Sequence, residues 1–164
     1  MNVNATAVAN YFVDISNEKK VDLTQFGLMK RVYIAYGFCL AILDKSILDL
    51  RFDVVEAWKY GPVIPSVYHS FKHNKGNAIK NKSVVVIYEN KEYRFETPTL
   101  QDEAVKAVVE AVWDKYEEFE DAKLIDMLHQ KGTPWYLCYE EGMNNRIPEN
   151  YTAMYYKKLL KEVE

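Results

Sequence analysis

Residues 56–72 read EAWKYGPVIPSVYHSFK, placing two aromatics, a Gly-Pro turn and a second proline directly in front of a helical run. Pro62 and Pro65 push Gly61 and Ile64 out of the α region of backbone space. Pro65 fits the first position of a helix, where its missing N–H costs nothing. The chain therefore reaches Trp58, turns rigidly through Tyr60, Gly61 and Pro62, and enters a helix carrying Val67, Tyr68 and Phe71. Two prolines limit the entropy lost when such a turn is ordered. Stiff aromatics on a pre-ordered turn suit a protein–protein anchor, with a large contact area, few rotamers to freeze and a polar tip. The same side chains suit a plug between two helices, and this stretch alone leaves both roles open.

Upstream, Ala5, Val8, Ala9 and Phe12 recur at helical spacing until SNEKK ends the run. Asp22 or Thr24 offers a side-chain oxygen to cap a second helix, in which Leu28, Val32, Tyr33, Tyr36 and Leu40 keep a helical period. Gly27 and Gly37 lie inside that helix at about 1 kcal/mol each relative to alanine, which points to another element packed closely against them. Downstream, residues 83–88 (SVVVIY) and 92–96 (EYRFE) flank Glu89, Asn90 and Lys91 as a β-hairpin. Thr99 with Asp102 matches a capping box ahead of the stripe Ala104, Val108, Val112, Tyr116 and Phe119. Residues 122–130 form a shorter helix closed by Gly132, and Pro134 opens another around Trp135 and Tyr139. Pro148 suits the first turn of a last helix carrying Tyr151, Met154, Tyr155, Leu159 and Leu160. The expected fold is mainly α, a compact helical domain with one small β-hairpin insertion, and residues 1–164 form a single domain.

A chain of 164 residues is long enough to bury a core without metal or disulfide staples. Hydrophobic residues make up 49% and charged residues 27%, a globular composition. A net charge of −3 and a pI near 5.7 argue against the basic footprint of a nucleic-acid binder, and no helix-turn-helix with a basic recognition helix stands out. Lys157, Lys158 and Lys161 suit the negative pole of the last helix. Cys39 and Cys138 fall in apolar segments, which predicts two buried thiols in a reducing compartment rather than a disulfide. The first lysine is Lys19, so no basic region opens a secretory signal. The longest apolar run, IAYGFCLAIL, is about half the length a bilayer requires. The expectation is a cytoplasmic protein with no membrane partner.

No catalytic constellation assembles. His69 and His73 share a helical face at i, i+4, but the glutamate of a metalloprotease motif is absent and no third ligand can be assigned. A metal-dependent enzyme using this pair is the alternative of another class, and solvated surface histidines are the better reading. Cys138 with His129 is a conceivable nucleophile–base pair without an oxyanion loop. Glu117–Glu118 and Glu140–Glu141 are adjacent on helices and face different directions. The sequence holds no Gly-rich phosphate loop, no GxSxG and no CxxC. The expectation is therefore no enzyme, no catalytic residue, no metal and no cofactor.

Three motifs, taken together, resemble the Panacea domain, the SocA-like or GepA-like phage-associated antitoxins. The first is a threonine-started helix with L-x-K-L-x-Y, read here as Thr24, Leu28, Lys30, Val32 and Tyr33, with Ala35 and Gly37 following. The second, A-W-x-Y-G-P-V-x-P-x-V-Y-x-x-F, is nearly complete from Ala57 to Phe71. The third, T-H-x-x-x-x-P-W, is present as His129, Pro134 and Trp135. The resemblance covers about residues 5–140. Arg31 stands where the family usually has leucine, Leu128 replaces the threonine before His129, and the connection from Ile47 to Glu56 is longer than usual. A C-terminal helix over about 148–162 lies outside the pattern. The resemblance implies a non-enzymatic antitoxin of a toxin–antitoxin system that neutralises its cognate protein toxin by direct binding. SocA-type members act instead as adaptors that deliver the toxin to an ATP-dependent protease. On that reading the partner-binding residues are Trp58, Tyr60, Gly61, Pro62 and Tyr68, with Trp135 and Tyr139 as second choices. Glu117, Glu118, Glu120 and Asp121 would then attract a basic toxin surface.

Overall fold

The computed structural model describes residues 4–49, 51 and 53–163. Helix α1 (Ala5–Lys19) begins where the Asn4 side chain accepts from the Ala7 N–H at 2.8 Å and ends at Lys20 in the left-handed region. Of the two capping candidates for α2 (Gln25–Leu43), Thr24 is used: its Oγ1 accepts from the Gly27 N–H at 3.0 Å. Every residue of α2 from 27 to 40 is buried. A helix apolar all round must be enclosed on all sides, and α1, α3 (Pro65–Phe71), α4 (Glu103–Tyr116), α5 (Asp121–Leu128) and α7 (Glu149–Lys161) pack around it. By length and composition alone α2 could cross a membrane, with mean hydropathy 1.5, yet 78% of that window is buried inside the protein. It is the axis of the core.

The stretch 56–72 holds more β-structure than its sequence suggests. Strands β1 (Glu56–Trp58) and β2 (Gly61–Val63) pair antiparallel, with Trp58 opposite Gly61 and Glu56 opposite Val63. Strand β5 (Asn145–Arg146) joins the far side of β1, giving the order β2-β1-β5. The rigid turn is thus a tight hairpin, and the expected single hairpin becomes two small sheets in a mainly α fold. Strands this short carry no period for a sequence pattern to reveal. Pro62 lies on an edge strand, the place where a missing donor is tolerated. Pro65 does open α3 at its first position, as expected. The second hairpin pairs β3 (Val85–Glu89) with β4 (Glu92–Glu96), and Asn90 and Lys91 both adopt the positive φ that a two-residue loop of this hand requires.

Two helix starts differ from the sequence reading. Asp102 itself caps α4, accepting from the Val105 N–H at 3.1 Å, while the Thr99 hydroxyl turns back to donate to the Thr97 carbonyl. The capping box is therefore not formed. Pro148 is the residue before α7 rather than part of its first turn. The buried face of α4 runs through Val105, Val108, Val109, Val112, Trp113 and Tyr116, and Ala104 is exposed. On α7 the buried residues are Thr152 and Tyr156, whereas Tyr151 and Met154 face outward.

Helix α7 belongs to the core. A Cβ on Gly37 would lie 2.3 Å from the Tyr156 ring, so the glycine lets α7 press against α2. Alongside, the Tyr33 and Thr152 hydroxyls bond at 3.2 Å and the Tyr36 hydroxyl donates to Glu149 Oε2 at 3.0 Å. Arg31, the departure from the family's leucine, is buried. Its Nη2 donates to the Tyr116 and Phe119 carbonyls at 2.8 and 3.2 Å, and so ties down the turn between α4 and α5. Both cysteines are free; Cys39 is buried, and Cys138 is half-buried rather than fully enclosed.

Candidate functional site

Alternate residues of a strand share a face, so Glu56 and Trp58 point the same way from β1. The Trp58 Nε1–H donates to Glu56 Oε2 at 2.7 Å, which fixes the indole. Tyr68, on α3, meets that indole edge-on with ring centroids 4.9 Å apart and planes at 67°. Across the gap, Phe26 in the first turn of α2 meets Tyr60 edge-on at 6.1 Å and 89°. These four rings, with Lys30 and Val63 among the residues between them, line a notch of about 230 Å³. Tyr60 is 51% exposed and Phe26 43%, so they form its rim. Trp58 and Tyr68 are half-buried and form a wall.

The hairpin is held from behind. Helix α6 (Pro134–Cys138) is capped by Thr133, whose Oγ1 accepts from the Tyr136 N–H and donates toward the Leu128 and Gln130 carbonyls. This presents Trp135, whose Nε1–H donates to the Trp58 carbonyl at 2.6 Å. The Trp135 ring stacks between His129, at 3.9 Å, and Tyr139, at 4.5 Å. Gly61 has φ +113°, and a Cβ there would lie 3.1 Å from Lys30 Nζ and 3.8 Å from His129 Nε2. Residues from all three sequence motifs thus meet at one hairpin.

Lys30 is the unusual group. It is 1% exposed, and its ammonium donates to the Pro62 carbonyl at 3.0 Å. Removing a cation from water disfavours its charged form, and burial pushes Lys30 down to about 7. Burial, and then the neighbouring Lys30 charge, hold His129 below its ordinary value, while Asp126 opposes both. The His129 Nε2 atom is buried with no hydrogen-bond partner.

The expected partner residues divide accordingly. Tyr60 is exposed, Trp58, Tyr68 and Tyr139 are half-buried, and Gly61, Pro62 and Trp135 are buried. Phe26 and Glu56 complete the site, and sequence reasoning did not single them out. Lys30 had a signal: with Arg31 it is a charge inside an otherwise apolar helical run. Of the acidic residues, Asp121 accepts from the Thr24 hydroxyl at 2.6 Å and so braces the start of α2, whereas Glu118 and Glu120 are exposed.

The other constellations do not assemble. His69 lies on α3 and His73 on the following 3-10 turn, both exposed. Among the described residues no group of three or more His, Cys, Asp or Glu side chains is placed to hold a metal ion. Burial pushes the Cys138 thiol up, opposite to what an activated nucleophile needs. Two larger grooves, of about 520 and 490 Å³, flank α7, and neither is lined by an aromatic of the 56–72 stretch. A further apolar face lies on the second hairpin, where Val86, Tyr88, Tyr93 and Phe95 are all exposed.

The family profile described as "Antitoxin SocA-like, Panacea domain" matches residues 28–136, from within α2 to α6. The chain is also similar to "Antitoxin SocA" of Caulobacter vibrioides (strain NA1000 / CB15N), at 28% identity over 133 residues that cover 81% of this chain and 69% of the relative. No solved structure matches it. The profile spans the Lys30 helix, the aromatic hairpin and the His129–Trp135 brace together, and on that match the chain belongs to the SocA-like antitoxins of the Panacea domain family.

Proposed function

We propose that this antitoxin neutralises its toxin by binding it directly, with the Tyr60 hairpin as the anchor and occlusion of the toxin as the mechanism. One observation carries the reading: exposed aromatics project from a hairpin whose backbone is locked from behind. Tyr60 and Phe26 are accessible, while the Pro62 and Trp58 carbonyls are held by Lys30 and Trp135. Rings fixed before contact lose little entropy on binding, and a few such anchors in an interface of standard size reach nanomolar affinity. Trp58 and Tyr68 supply the wall, and Gly61, Pro62, Trp135 and Tyr139 hold the hairpin's shape. Glu118 and Glu120 add negative charge that draws in a basic toxin face. The role is one of recognition and has no bond-making step.

Co-expression with the cognate toxin tests this. Tyr60→Ala is expected to lose growth rescue while its circular dichroism and melting temperature stay those of the parent chain. Phe95→Ser, on the other hairpin, is expected to keep rescue. Loss of rescue by Phe95→Ser alone moves the interface to that hairpin. A toxin whose half-life falls when the antitoxin is present points to delivery to a protease in place of occlusion.

A further inference from the structure

We infer that the notch enclosed by Phe26, Trp58, Tyr60 and Tyr68 receives a carboxylate from the bound protein and pairs it with the Lys30 ammonium. This rests on the reading that the hairpin face binds a toxin, and it names the chemistry that face selects. Among the described residues the Pro62 carbonyl is the hydrogen-bond partner of Lys30, and no carboxylate forms an ion pair with it. An ammonium has three donors, so two remain for a ligand. Glu56, the acid of the same strand, is already engaged by the Trp58 indole. The neighbouring His129 Nε2 also lacks a partner. A buried amine without an anion is costly to charge, so a carboxylate brought beside it favours its charged form.

Size and lining narrow the ligand. A notch of about 230 Å³ walled by four aromatic rings admits a short apolar stem ending in one small anion. A phosphate asks for several converging donors, whereas the buried Lys30 ammonium, with Lys59 beside Tyr60 as the second lysine of the lining, suits a monovalent carboxylate. An aspartate or glutamate side chain and a polypeptide C-terminus both present this group. An ion pair with the buried Lys30 is stronger than one at an exposed rim, and a partner offering an amide or alcohol leaves the lysine unpaired. The pair therefore acts as a selectivity device.

The test uses the full chain labelled with nitrogen-15 and titrated with propionate, against propionamide at equal ionic strength. Saturable shifts of the Trp58 and Trp135 indole N–H signals are expected with propionate and not with propionamide. They should vanish in Lys30→Met and persist in Lys59→Met. Equal responses to both probes, or no saturable response, overturn the inference; this comparison needs no variant, so it stands even if Lys30→Met fails to fold. A second arm measures the affinity of the unaltered chain for the toxin after amidation of the toxin's C-terminus, or after single Asp→Asn and Glu→Gln changes. One of these should weaken binding at least ~tenfold, and which one does identifies the source. Tight binding that none of them weakens overturns the carboxylate notch alone. Absence of binding overturns the proposed function and leaves the propionate result to judge the notch.

Discussion

Lys30 and Gly61 show how single residues set this site. Gly61 adopts φ +113°, and the space its missing side chain leaves is occupied by Lys30 Nζ and, further off, His129 Nε2. A lysine held near 7 in the folded chain returns to about 10.4 when unfolded. Between these values the unfolded chain binds the extra proton, so this group's contribution makes stability rise with pH. Cys39 opposes it at alkaline pH, because burial raises that thiol to about 12. The difference between parent and variant isolates the lysine. From pH 7 to 9 the unfolding free energy of the parent, minus that of Lys30→Met, should rise by roughly 2 kcal/mol in urea titrations. A flat difference would mean that Lys30 is solvated. At this scale the sequence was only partly legible. Lys30 was visible as a charge in an apolar helix, but that it folds against Gly61 depends on a contact 31 residues away, which no local pattern encodes.

Between elements, α7 packs closely on α2. Alanine is the better helix former by about 1 kcal/mol, yet the Gly37 position faces the fully buried Tyr156 ring at a distance no Cβ tolerates. Gly37→Ala should therefore lose about 1–3 kcal/mol by overpacking, read by chemical denaturation. On a Tyr156→Ala background the same change should cost nothing further, which a double-mutant cycle would show. Helix α6 has only five residues and depends on its cap. Thr133→Ala should cost about 1 kcal/mol and disturb the Trp135 indole signal, because the cap aims that side chain. The long helices, the Asn90–Lys91 hairpin and the close packing at Gly37 were legible from period, turn chemistry and glycine placement. The face of α7 was not. Its apolar residues are numerous enough to suggest several stripes, and the partner that selects Tyr156 is a glycine on another helix.

At the scale of the molecule, α2 is a buried axle, and the elements around it expose aromatics on the Tyr60 hairpin and on the β3–β4 hairpin, among other places. The family match ends at residue 136, so α7 completes the core from outside the matched span. Membership of the antitoxin family was readable because motifs far apart in the chain recur in order. Their physical meaning was not, since β1, β2 and β5 are too short to announce a sheet and Trp135 works through the Trp58 carbonyl. On the proposed reading, recognition lies on the locked hairpin. Its most direct test is calorimetric titration of the purified chain into its purified toxin, for the parent and for Tyr60→Ala. A complex of submicromolar Kd, weakened at least ~tenfold by Tyr60→Ala with no change in melting temperature, is the predicted result. Undiminished affinity in the folded Tyr60→Ala variant, or no heat of binding for the parent, would contradict it.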